Sequence, residues 1–200
     1  MRATVPAGVT RQHIRQTIRK TRRALSTSEQ NRAAQALLAR CQVSDTLKQA
    51  HHIALYLTND GELDTEPLIH WLWQAGKHVY LPVLHPFSKG HLLFLGYSPN
   101  TPMAPNRFGI AEPVLDIRRV CPIANLDVVC TPLVAFDATG HRLGMGGGYY
   151  DRTLSRWHHH REGPRPIGLA HDCQQVASLP SQSWDVPLPE IITPSHHYRW

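Results

Sequence analysis

The residues best equipped for chemistry lie together in Arg142-Leu143-Gly144-Met145-Gly146-Gly147-Gly148-Tyr149-Tyr150-Asp151, where four of the five positions from 144 to 148 are glycine. Glycine admits positive φ and lets the backbone approach a ligand with no Cβ in the way. The apolar, β-branched run from Leu126 to Val134 precedes this loop and reads as a buried strand; Tyr149 to Arg161 reads as a helix. A glycine loop that opens a helix presents unpaired N–H groups and the positive end of the helix dipole, which is the outline of a phosphate site. Arg142 and Arg152 flank the loop with fixed positive charge, and Asp151 is suited either to cap the helix or to hold a metal ion. A tight turn in which glycine merely relieves strain is the plainer alternative, but a turn alone rarely needs so many glycines beside Arg and Asp. No third glycine completes GxGxxG and no Gly-Lys-Ser/Thr is present, so the residues indicate phosphate without saying which.

The elements around the loop follow from periodicity. Thr10 caps a helix on which Ile14, Ile18 and Leu25 form a narrow apolar stripe, with Arg19, Arg22 and Arg23 on a solvated basic face. Ser26-Thr27-Ser28-Glu29 is a capping box that starts a second helix running to about Arg40, with Ala33, Leu37 and Cys41 inward. His52 to Leu57 is a strand, followed by the turn signal Asn59-Asp60-Gly61. Thr65 to Ala75 is a helix stopped by Gly76, with Leu68, Ile69, Leu72 and Trp73 inward. Further strands are expected at Val79 to Leu84, His91 to Tyr97 and Pro166 to Ala170, with an edge strand at Glu190 to Thr193, whereas Ser98 to Pro113 is expected to be a long surface loop. Strands alternating with helices predict a single three-layer α/β/α domain with a mostly parallel sheet over residues 10–200, and residues 1–9 as a disordered extension.

Composition limits the classes. Two hundred residues suffice to bury a core without disulfide staples, and the four cysteines show no CxxC spacing, so they read as free thiols in a reducing, cytoplasmic compartment. No stretch has the length of a signal peptide or a membrane span. A formal net charge of +6 suits anionic partners, among them nucleic acid, for which the arginine-rich first helix is the supporting feature. Base-recognition signatures with interleaved aromatics are missing, and that reading leaves the glycine loop unexplained. His158, His159 and His160 are consecutive and fan around a helix end, a poor arrangement for a metal.

Thr131-Pro132-Leu133-Val134-Ala135-Phe136-Asp137, Gly140, and Arg142 through Asp151 together resemble the signature of the 5-formyltetrahydrofolate cyclo-ligase family, and the similarity runs from about Arg11 to Pro194. The resemblance implies a three-layer α/β/α fold and conversion of 5-formyltetrahydrofolate to 5,10-methenyltetrahydrofolate with ATP and Mg2+. It implies ATP contacts at Arg11, Arg15, Arg142 and Leu143 through Tyr150, where Arg11 stands in place of the family's lysine. It implies folate contacts at Leu57, Glu62 and Met145 through Tyr149, catalytic roles for Arg142 and Tyr150, and magnesium at Asp151 and Asp185. The stretch Asn106 to Pro113 resembles the family's flap beside the substrate. Several members carry Arg and Lys where this chain has Met145 and Gly147, so backbone N–H groups, Arg15, Arg142 and the metal must supply more of the phosphate stabilisation. The substrates implied are small molecules, the folate with or without a polyglutamate tail, and neither membrane nor nucleic acid.

Overall fold

The computed structural model describes residues 10–200; the extension expected at 1–9 lies outside them. An eight-stranded sheet forms the centre, in the order β12 (His197–Arg199), β11 (Glu190–Ile192), β10 (Arg165–Leu169), β7 (Val128–Pro132), β1 (His52–Ala54), β2 (His78–Leu84), β3 (Leu92–Tyr97) and β6 (Val120–Cys121). The five strands from β11 to β2 are parallel, while β12 and the β3–β6 pair are antiparallel at the two margins. The segment expected as an edge strand at Glu190 is therefore second from the edge, because the last residues of the chain fold back and pair with it.

Alternation along the strands assigns side chains to two cores. Ile53, Val128 and Cys130 face a core built with helices α2 (Thr27–Val43), α3 (Asp45–Gln49) and α4 (Glu66–Gln74), while Ala54 and Val129 face the opposite side with Phe94, Leu154 and Val186. Both faces are covered, as parallel strands require. The Ser26 capping box is present, with its hydroxyl accepting from Glu29 N–H and Glu29 accepting from Ser26 N–H. The inward face of α2 is Ala34, Leu37 and Cys41, with Ala33 half-buried.

Helix α1 (Arg11–Arg23) is capped by the Thr10 hydroxyl and lays Ile14 and Ile18 on Val134, Ala135 and Leu143 of a small hairpin, β8 (Ala135–Phe136) and β9 (Arg142–Leu143). That contact delivers Arg15 to the glycine loop that leaves β9, and Arg11 to Asp185 beside it. The third buried residue of the helix is Arg22, not Leu25, which corrects the solvated basic face expected for it. Arg19, Arg22 and Arg23 all pair with Asp60.

Two other expectations change. The proline-rich stretch from Ser98 is not structureless, since Met103–Pro105 (β4) and Ala111–Pro113 (β5) pair as a hairpin whose turn is closed by Asn106 N–H on the Ile110 carbonyl at 2.8 Å. The helix expected from Tyr149 to Arg161 is broken at Leu154 into α5 (Tyr149–Thr153) and α6 (Ser155–His160).

Candidate active site

A cavity of about 1200 Å³ opens at the carboxyl ends of β1, β2 and β7, where Tyr56, Leu57, Leu84, Pro132 and Leu133 form its wall. Ligand sites of open α/β sheets lie at this end of the strands. Every site residue anticipated from the sequence except Leu143 lines it: Arg11, Arg15, Leu57, Glu62, Arg142, Gly144 through Asp151 and Asp185. Leu143 is instead buried under α1 as part of the support.

Three arginines fix the glycine loop. Arg15 Nε–H donates to the Gly144 carbonyl at 2.8 Å, and Arg152 donates to the Gly147 carbonyl and, through Nε–H at 2.8 Å, to the Gly90 carbonyl in the turn after β2. Arg142, only 6% exposed, donates from Nη2 to Asp151 Oδ1 at 2.6 Å, while its Nε–H has no partner. Gly148 has φ +67° and a Cβ there would lie 2.8 Å from the Arg152 guanidinium. Gly147 has no positive φ; what excludes a side chain at that position is the Tyr149 ring, 2.8 Å from an added Cβ.

The N-cap of α5 is Gly148, so Asp151 sits in the first turn and is not the cap; its Oδ1 also accepts Val186 N–H at 3.3 Å. Because α5 has only five residues, its dipole contributes little, and the loop's positive character comes from the arginines around it. Asp185 is held in a two-pronged pair with Arg11, one bond being Nη2–H to Oδ1 at 2.9 Å, and accepts Gln182 N–H at 2.8 Å. Burial would raise the Asp185 carboxyl, but the bond from Arg11 leads the influences that hold it below its ordinary value. Among the described residues no cluster of three or more His, Cys, Asp or Glu forms a metal cage. Two carboxylates on one cavity wall are nonetheless a hard-oxygen set of the kind magnesium takes alongside phosphate, and Asp151 retains a second oxygen beyond the one that Arg142 holds.

The cavity is also lined by the turn Asn59-Asp60-Gly61-Glu62, in which Asp60 and Gly61 both have positive φ, 55° and 72°, and Glu62 N–H reaches the Asn59 carbonyl at 3.0 Å. The side chain of Glu62 is 15% exposed. Burial pushes its carboxyl up to about 7, against the pull of Arg22. Burial likewise keeps the Tyr150 phenol far above its ordinary value, so that group is a hydrogen-bond donor and not a base.

The β4–β5 hairpin closes the mouth. Arg107 donates to the Tyr149 hydroxyl at 2.6 Å, Phe108 meets the Tyr149 ring edge-on at 6.5 Å, and Glu112 accepts both Asn106 Nδ2–H at 3.0 Å and Leu84 N–H at 3.2 Å. Arg22 and Trp184 line the cavity although neither was among the anticipated site residues; Arg22 was detectable, since it continues the Ile14–Ile18 spacing, whereas Arg107 lies in the stretch Asn106 to Pro113 expected as the flap. His158 and His159, expected at a solvated helix end, stand on the cavity wall although His159 is exposed.

The 5-formyltetrahydrofolate cyclo-ligase family model matches residues 7–194. The chain is 54% identical over 183 residues to the 5-formyltetrahydrofolate cyclo-ligase of Escherichia coli (strain K12), covering 92% of this chain and 100% of that one. It is 52% identical over 182 residues to that of Haemophilus influenzae, covering 91% and 96%. The NMR structure of Aquifex aeolicus 5,10-methenyltetrahydrofolate synthetase superposes with a TM-score of 0.80 at 28% identity, covering 96% of this chain and 93% of that one. A glycine loop braced by arginines at the carboxyl end of a mostly parallel sheet is thus accompanied by full-length sequence likeness, and the chain belongs to the 5-formyltetrahydrofolate cyclo-ligase family.

Proposed function

We propose that the cavity binds ATP against Arg11, Arg15, Arg142 and the glycine loop, and the folate against Leu57, Glu62 and the stretch Met145 to Tyr149. The reaction is that of the family: ATP and 5-formyltetrahydrofolate give 5,10-methenyltetrahydrofolate, ADP and phosphate. The observation that carries the assignment is that one cavity at the carboxyl ends of the strands is lined both by arginine-braced glycines and by the half-buried carboxylate of Glu62. The glycines suit a triphosphate and the carboxylate an aminopyrimidine.

A formyl oxygen is a poor leaving group. Transfer of the γ-phosphoryl group to it, with release of ADP, yields an iminium phosphate; the folate's 10-nitrogen then attacks the carbon, the C–O bond breaks, phosphate leaves and the nitrogen's proton is lost. No side-chain nucleophile is required, and positioning with charge neutralisation is the protein's share. Arg142 lines the cavity with a guanidinium whose buried Nε–H has no partner, which supports its role as a donor to phosphate oxygens, with the Tyr150 hydroxyl as a second donor. Leu57 supports the apolar part of the folate, and Glu62 accepts from its N–H edge.

Asp151 and Asp185 are the residues that would hold magnesium, which neutralises phosphate charge when bound. Both oxygens of Asp185 are engaged, so its ligation goes with Arg11 turning toward the triphosphate. The charge absent at Met145 and Gly147 is supplied by Arg15, Arg107 and Arg152, all of which reach the loop or the ring of Tyr149. A cytoplasmic location fits the four free thiols, and among the described residues no helix is long and apolar enough to cross a membrane. The whole of residues 10–200 acts as one catalytic unit.

The arginines of α1 are occupied internally, on Asp185, the Gly144 carbonyl and Asp60, which leaves the nucleic-acid alternative with little of the basic face that motivated it. The test is direct: incubate the purified protein with 5-formyltetrahydrofolate, magnesium and ATP, and follow the absorbance of the methenyl product. Folded protein that forms none, or that turns over without ATP, would remove the assignment.

A further inference from the structure

The turn that carries Glu62 rests on an arginine that phosphoryl transfer does not use. Arg22 is 0% exposed, donating from Nε–H to the Asp60 carbonyl at 2.9 Å, from Nη2 to Asp60 Oδ2 at 2.7 Å and from Nη1 to the Leu133 carbonyl at 3.3 Å. The same Nη2 lies 3.7 Å from Glu62 Oε1. A guanidinium taken wholly out of water is costly unless its charge is matched, and Asp60 must also serve Arg19 and Arg23. Three guanidinium groups thus crowd one carboxylate. Of the three, Arg22 is the one that lines the cavity, and Glu62 is the second acid within reach of it.

We propose that Arg22 is a positioning residue for folate recognition, fixing the Asn59–Glu62 turn and supplying the cation against which the Glu62 carboxylate accepts the N–H donors of the substrate's aminopyrimidine edge. The proposal rests on the assignment of the folate to Glu62 made above.

The surroundings of Glu62 leave Arg22 as its principal charged neighbour. Asp60 lies in the same turn, Arg19 and Arg22 come from α1, Tyr56 follows β1, Tyr150 comes from α5, and His171 packs against the backbone of Gly61 and Glu62. Burial keeps both tyrosines protonated, and it pulls His171 down to about 4, so these three are neutral at physiological pH. Burial drives Glu62 toward the neutral acid, and Arg22 is the strongest influence opposing it. Without Arg22 the carboxyl carries a proton at neutral pH and presents a donor to a donor edge.

Two variants should move Glu62 in opposite directions. Arg22→Met removes the cation, whereas Asp60→Asn frees it from its competing acid while keeping a residue type that tolerates the φ of +55°. The Glu62 titration is followed by NMR on protein carrying 13C-carboxyl glutamate, assigned with Glu62→Gln, alongside KM for 5-formyltetrahydrofolate and for ATP across pH. For Arg22→Met the expectation is an upward shift of at least ~1 unit in the Glu62 midpoint, and a roughly tenfold higher folate KM near neutral pH with ATP KM unchanged within about twofold. For Asp60→Asn the midpoint should fall by about 0.5 unit. Arg22→Lys should restore most of the pH profile but not all of it. Unchanged midpoints in both folded variants, or ATP and folate KM rising together, would overturn the proposal. Because Asp60 also repels Glu62 directly, Asp60→Asn alone does not isolate Arg22; if Arg22→Met does not fold, Arg22→Lys decides, a raised Glu62 midpoint with a higher folate KM and unchanged ATP KM supporting the coupling, and a midpoint and folate KM both equal to wild type overturning it. Failure of the underlying assignment reads differently, because Glu62→Gln would then keep the wild-type folate KM at every pH while the NMR titrations still report whether Arg22 acts on Glu62.

Discussion

Arg142 illustrates how a charge is prepared for a ligand. Its guanidinium is buried, tied to Asp151 at 2.6 Å on one side and left with an unmatched Nε–H on the other. Burial pulls its proton affinity down from its ordinary high value while Asp151 opposes, so it stays a cation poised against phosphate. Arg142→Ala is expected to lower turnover by about 10² to 10³, the usual loss for a preorganised donor to developing charge. A change of less than about threefold would make its role one of packing only. The two acids are separated by substitution as well. Asp151→Asn and Asp185→Asn should each shift the dependence of activity on magnesium to higher concentration, and curves superimposable on wild type would deny both a metal role. Since Gly148 and not Asp151 is the cap of α5, a loss in Asp151→Asn cannot be referred to capping.

At the level of elements, the glycine loop works because α1, α5 and the turn after β2 hold it from three sides through Arg15 and Arg152. A side chain at Gly147 collides with the Tyr149 ring, whereas an added Cβ at Gly144 meets nothing nearer than 3.7 Å. Gly147→Val should therefore abolish activity with the fold retained, and Gly144→Ala should keep most of it; equal activities would reduce the loop to a plain turn. The strand–loop–helix order, the capping box and the turn before Glu62 were legible because each depends on local residue types: apolar runs, Ser-x-x-Glu, Asn-Asp-Gly. What could not be read depended on long-range pairing. The flap hairpin is held by Glu112 reaching back to Leu84 and by Arg107 on Tyr149, contacts that span 28 and 42 residues. The terminal strand β12 went unread for the same reason: nothing in His196-His197-Tyr198 signals a partner, yet it pairs with β11 and becomes the edge of the sheet. Arg22 looked like one more surface arginine until Asp60, 38 residues later, drew it inward.

For the molecule as a whole, Glu62 sets function against stability. Its folded carboxyl lies near 7 while an ordinary glutamate is at 4.5, so between those values the native state binds more protons than the unfolded one. Stability then falls as pH rises through that window, because the folded chain must either hold the proton or bear a desolvated charge. Removing the acid removes the penalty. Glu62→Gln should be nearly as stable as wild type at about pH 5 and more stable by roughly 2 kcal/mol at about pH 8, a discounted value for a group that keeps some contact with water. Urea unfolding at the two pH values measures the difference, with the folate KM followed in parallel. A gain that appears only at the higher pH, together with weakened folate binding, identifies a site that keeps a destabilising carboxylate because the substrate needs it. An equal gain at both pH values would point to packing of the amide instead, and would separate the carboxyl's ionisation from the stability of the fold.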